Sequence, residues 1–189
     1  EEGRHKLPLS VRLIKEMHKI LLDNVRGQNK SPGEFKTEQN YIGNSAEIAF
    51  TPLPPELTQD YMANFEQYIH FDEVDLLVQA ALIHCQFEMI HPFKDGNGRI
   101  GRLLIPLFLY YREMLPVPTF YMSAYFEKDR TMYLEKLSAV SQKNDYATWI
   151  KYFLEGVIQQ AEINTLKAKA LLDRYNEFKD ICISGMSSK

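Results

Sequence analysis

The sequence predicts a mainly α fold, a helical bundle interrupted by one β-hairpin. Three observations carry that expectation. Apolar residues recur at three- and four-residue spacing over most of the chain. One stretch, 31–55, breaks the pattern with short β-type runs between Pro and Gly residues. The run from Glu73 to Ile90 is apolar on more than one face, as expected of a helix buried at the centre of a bundle.

In chain order, residues 1–6 are polar and expected to be a flexible end. A first helix starts after Pro8-Leu9, with Ser10 as its N-cap and Val11, Ile14, Met17, His18, Leu21 and Leu22 at helical spacing, and closes at Gly27 to Lys30. Ser31-Pro32-Gly33 opens a loop. Tyr41-Ile42 and Ile48-Ala49-Phe50, separated by Gly43-Asn44-Ser45, read as a hairpin that Pro52, Pro54 and Pro55 terminate. Helices are then expected over Leu57 to Ile69, Glu73 to Ile90, and Arg99 to Glu113 with Pro106 inside. Others are expected from near Ser123, over Asp129 to Val140, and as one or two helices over Tyr146 to Leu172. The tail from Ile181 to Lys189 is expected to be flexible. With 189 residues and 45% apolar content, a single domain, 1–189, is expected.

Composition excludes several function classes. A net charge of −3 gives no electrostatic reason to bind nucleic acid. No stretch is apolar enough to span a bilayer. Two cysteines, Cys85 and Cys182, do not make a disulfide framework. With no signal-peptide pattern in the first residues, the expectation is a cytoplasmic protein with no nucleic acid or membrane partner.

Chemistry concentrates between the two most apolar helices, in His91-Pro92-Phe93-Lys94-Asp95-Gly96-Asn97-Gly98-Arg99-Ile100-Gly101-Arg102. Pro92 disfavours helical geometry at His91 and ends the preceding helix. Gly96, Asn97 and Gly98 tolerate backbone angles that let successive N–H groups converge, and such a nest at a helix N-terminus binds anions. Asp95 is a hard oxygen donor suited to Mg²⁺ carrying phosphates. Arg99 and Arg102 share a helix face, and arginine grips phosphate in a forked geometry. His91 can take a proton near neutral pH. Together these groups suit phosphoryl or nucleotidyl transfer. Blander roles compete: Asp95 as a helix cap, the glycines as a structural turn, the arginines as surface ion-pair partners. Phe93 reads as a core anchor. His84 and Glu88, four apart, read as a packed histidine and a solvated or paired glutamate in preference to metal ligands.

The same run, with Arg102, resembles the motif of the Fic family at every defining position. That resemblance implies a Fic-type helical bundle with a β-hairpin flap over the active site. It implies a protein adenylyltransferase, moving AMP from ATP to a Ser, Thr or Tyr hydroxyl of a protein substrate. In that likeness His91 is the base, Asp95 holds Mg²⁺, and Gly96, Asn97, Gly98, Arg99 and Arg102 bind the nucleotide phosphates, with Tyr133 near the nucleotide. Pro32-Gly33-Glu34-Phe35-Lys36 and Gln39-Asn40-Tyr41-Ile42-Gly43 resemble the flap, so Tyr41, Ile42 and Gly43 are implied to dock the target. Transfer of phosphate or phosphocholine, removal of AMP, and a non-catalytic nucleotide-binding module are the alternatives. Many relatives are restrained by a helix with Ser or Thr, three residues, Glu, then Gly or Asn. Ser123 to Glu127 and Thr131 to Glu135 have the spacing, but Lys follows each Glu. An inhibitory helix or antitoxin would then lie upstream, on a partner, or nowhere.

Overall fold

A computed structural model describes residues 8–23, 31–43 and 48–186, with 43, 48, 49 and 184–186 described by backbone alone. The expectations for residues 1–6, for Gly27 to Lys30, for the hairpin tip at Asn44-Ser45 and for 187–189 lie outside those residues. Seven helices are described: α1 (Val11–Asp23), α2 (Thr58–Ile69), α3 (Leu76–Ile90), α4 (Asn97–Tyr111), α5 (Ser123–Lys128), α6 (Arg130–Lys143) and α7 (Tyr146–Met186). A short antiparallel pair, β1 (Ile42–Gly43) and β2 (Ile48–Phe50), stands between α1 and α2. Ile42 faces Phe50 and Gly43 faces Ile48, so the register shifts by one residue between them.

The helix boundaries follow local chemistry. The Ser10 hydroxyl accepts from Leu13 N–H at 3.3 Å and caps α1. α3 starts three residues later than the apolar pattern suggests, because Asp75 accepts from both Leu77 and Val78 N–H and sets the N-cap there. Asp129 caps α6 through Met132 N–H in the same way. α4 begins at Asn97, two residues before the expected Arg99, and passes through Pro106 without interruption.

α3 is the central helix and packs against α2, α4, α6 and α7. Ala80, Ala81, Ile83, Cys85 and Phe87 are fully buried on it. α7 is fixed to it by Trp149, whose indole N–H donates to the Ala81 carbonyl at 2.8 Å. α7 then runs on as one helix to Met186, so 181–186 are helical where the sequence suggests a flexible tail. From Thr165 to Ile183 its residues are exposed, including Leu171, Tyr175 and Phe178. Among the described residues no helix is long and apolar enough to cross a membrane.

Candidate active site

The motif is presented where α3 ends and α4 begins. His91 is the C-cap of α3 in the left-handed region, at φ 49°, ψ 60°. That conformation is strained for a side chain larger than glycine, and several contacts hold it. Asn40 Nδ2 donates to the carbonyls of His91 at 3.1 Å and Phe93 at 2.9 Å. Lys36 donates from Nζ to the Ile90 carbonyl at 3.1 Å and to Asn40 Oδ1 at 2.8 Å. Its backbone N–H reaches the Pro92 carbonyl at 2.8 Å. The segment leading into β1 is thereby buttoned onto the motif. The segment leaving β2 is fastened by Leu53 N–H to the Met89 carbonyl at 3.2 Å. Burial lowers the Lys36 ammonium to a pKa of about 8.

Inside the loop, Phe93 is fully buried and anchors it, as expected. The ring of His18, from α1, stacks on it at 3.8 Å between centroids. Gly33 N–H donates to His18 Nδ1 at 2.9 Å, so Nδ1 carries no proton and Nε2–H donates to the Asp95 carbonyl at 2.9 Å. Burial lowers the His18 pKa, in keeping with that neutral tautomer.

Two expectations about the anion nest need correction. Gly98 has ordinary helical backbone in the first turn of α4, and only Gly96, at φ 79°, needs the freedom of glycine there. Asn97 is also helical and buried. Its side chain turns inward, accepting from Phe93 N–H at 2.8 Å and donating to Phe93 C=O at 2.7 Å. With that amide buried and turned inward, Asn97 and Gly98 offer a ligand their backbone N–H groups, which lack intrahelical acceptors at a helix start.

A cleft of about 420 Å³ opens over this helix start. It brings together Tyr41, Ile42, His91, Asp95, Gly96, Asn97, Gly98, Arg99, Arg102 and Tyr133. Gly43 is placed by its backbone in β1. His91 Nδ1–H donates to the Glu88 carbonyl at 3.3 Å, which leaves Nε2 as the proton-accepting nitrogen. Arg102 lies 3.6 Å from Glu127, too far for a hydrogen bond. Asp95 is exposed, and its Oδ1 accepts from Gly96 N–H at 2.6 Å. Among the described residues no three His, Cys, Asp or Glu side chains gather as a metal cage. A lone carboxylate beside an anion nest fits a divalent ion that arrives with phosphates. Tyr133 lines the cleft, but its hydroxyl is engaged by buried His84, 3.1 Å from Nε2. His84 Nδ1–H donates to the Gly101 carbonyl at 3.0 Å, so His84 accepts from Tyr133 and is neutral; its full burial lowers its pKa.

Sequence reasoning missed the supports of the site: His18, Lys36 and Asn40. Lys36 and Asn40 stand within the flap-like runs, yet nothing local marks them as partners of residues more than fifty positions away.

The bundle sets His91 at the end of α3 and the start of α4 beside it, in one cleft. Residues 8–109, more than half of the chain, match the model of the Fic/DOC family, and the chain belongs to that family. It is 32% identical over 112 residues to protein adenylyltransferase fic-1 of Caenorhabditis briggsae, a match covering 58% of this chain and 21% of that protein. It is 30% identical over 130 residues to a probable protein adenylyltransferase of Aquifex aeolicus, covering 65% and 39%. A crystal structure of a Fic family protein from Desulfovibrio desulfuricans superposes with a TM-score of 0.73 at 21% identity, over 84% of this chain and 47% of that one. The chain thus spans well under half the length of these curated relatives.

Proposed function

We propose that this domain transfers AMP from ATP to a hydroxyl side chain of a protein. The observation that carries the reading is His91, with Nδ1 committed to the Glu88 carbonyl and Nε2 open, in one cleft with Arg99, Arg102 and the start of α4. The relatives' adenylyltransferase names support it. Nε2 takes the proton of the target Ser, Thr or Tyr hydroxyl, the oxygen attacks the α-phosphorus, the bond to the β-phosphate oxygen breaks, and pyrophosphate leaves. Arg99, Arg102 and the N–H groups of Asn97 and Gly98 hold the phosphates and offset their charge. Asp95 would hold Mg²⁺, which when bound neutralises phosphate charge. Tyr133 would line the nucleotide site with its ring.

In the same reading, β1 and β2 form a flap over the cleft, and the target adds an extended strand beside Tyr41, Ile42 and Gly43. Tyr41 is exposed and available for this. A regulatory helix or antitoxin restraining Arg102 is part of the family reading and would come from outside the described residues. Incubation of the protein with cell lysate and ATP labelled at the α- or γ-phosphate tests the reaction. Covalent protein label from α-labelled ATP alone is expected. Label from the γ-position alone would mean phosphate transfer and sink the reading, and ATP binding without label transfer would leave only a binding module.

A further inference from the structure

Glu88 occupies a position that packing alone does not explain. It lies on α3, three residues before His91, and is only 4% exposed. Its Oε1 has no hydrogen-bond partner among the described residues. A buried, unpaired carboxylate oxygen costs stability that an apolar side chain would not. The fold nevertheless makes room for it: at Gly101, on the facing turn of α4, a Cβ would collide with Oε1. The other oxygen, Oε2, lies 3.6 Å from His91 Nδ1, the same nitrogen that donates to the Glu88 carbonyl. His84 from α3, Arg102 from α4 and Tyr133 from α6 surround the carboxylate electrostatically. Burial works to raise the Glu88 pKa, but the nearby His91 Nδ1–H and the neighbouring cationic charge outweigh it and hold the carboxyl below its usual range.

We propose that Glu88 is the positioning residue for His91: its carbonyl and carboxylate together fix the Nδ1–H tautomer, aim Nε2 at the target hydroxyl and stabilise the imidazolium formed there. The proposal rests on His91 being the base. The hydroxyl proton passes to Nε2, Nδ1 keeps its own proton throughout, and Glu88 remains a carboxylate and accepts none. The unpaired Oε1 is then a stability cost retained for function, the pattern expected where activity and stability oppose each other.

Glu88→Gln, nearly isosteric, tests this with three readings. Nitrogen NMR of the His91 ring should show Nδ1–H in the wild type and a rise of the Nε2–H form in the variant. The kcat for AMP transfer should fall by about 10–100-fold, part of the gain a general base supplies, while KM for ATP stays within about twofold. Thermal stability should stay level or rise. A ring tautomer unchanged in Glu88→Gln overturns the positioning role, whatever the activity. So does a fall in stability with kcat unaltered, which would mark Glu88 as merely structural. A tautomer shift in a protein that transfers no AMP supports the pairing and defeats only the adenylyl-transfer reading.

Discussion

At the scale of residues, the proposed function divides the site into groups that would meet the ligand and groups that hold them. Asp95 and Arg102 belong to the first set. Asp95→Ala and Arg102→Ala should each weaken binding of ATP with Mg²⁺ in calorimetry while leaving the fold intact, since neither side chain is buried. Both variants binding as wild type would place the phosphates elsewhere. Asn97 belongs to the second set. Asn97→Ala would leave the buried N–H of Phe93 unpaired and its C=O held by Asn40 alone. An unmade buried hydrogen bond costs about 1–3 kcal/mol, so a lower urea midpoint with an unchanged m-value is expected. A variant as stable as wild type would mean the loop has other support. That His91, Asp95, Arg99 and Arg102 share one cleft was legible in the sequence because they fall within twelve consecutive residues. The holders were not. His18 is separated from Asp95 by 77 positions and Asn40 from His91 by 51, and periodicity marks His18 only as one more residue on an apolar face.

At the scale of elements, the helices were readable because each buries a stripe at regular spacing, and errors fell at their ends. There a single capping carboxylate, Asp75, outweighs the apolar pattern. The full length of α7 was not readable, because the residues beyond Asn164 are exposed through Ile183 and so show no clean buried stripe. The β1–β2 pair is too short to stand alone in water. The bonds from Lys36, Asn40 and Leu53 to the end of α3 give it footing beside His91. Ile42→Pro removes a backbone donor from β1. The variant should fold and bind ATP, because those anchors lie outside the strand, yet label its protein target poorly. Undiminished target labelling, with folding confirmed by circular dichroism, would exclude β1 as the docking strand.

At the scale of the whole molecule, two buried neutral histidines tie stability to pH. His18 and His84 both have pKa values lowered from 6.5, chiefly by burial. Below pH 6.5 the unfolded chain binds protons that the folded chain refuses. Their contribution is therefore complete above pH 6.5 and is lost as pH falls beneath it, by up to about 1.4 kcal/mol per pH unit for each group. Glu88, held below its usual range, adds loss in the same direction at lower pH. Urea unfolding from pH 7.5 to 5 should show this early acid weakening. His84→Gln, whose amide can still donate to Gly101 and accept from Tyr133, should show a shallower slope. An identical slope would mean that His84 takes up its proton in the folded state as easily as in the unfolded one.

These scales meet at His91, where a strained helix end, a buried carboxylate and a ligand cleft converge. The decisive comparison is wild type against His91→Ala, each assayed for ATP binding by calorimetry and for protein labelling from α-labelled ATP. The alanine variant should bind ATP within about twofold of wild type and transfer at least about a hundredfold more slowly, because a general base acts on the reacting hydroxyl and not on the bound nucleotide. Transfer by His91→Ala at the wild-type rate would contradict the assignment of His91 as the base.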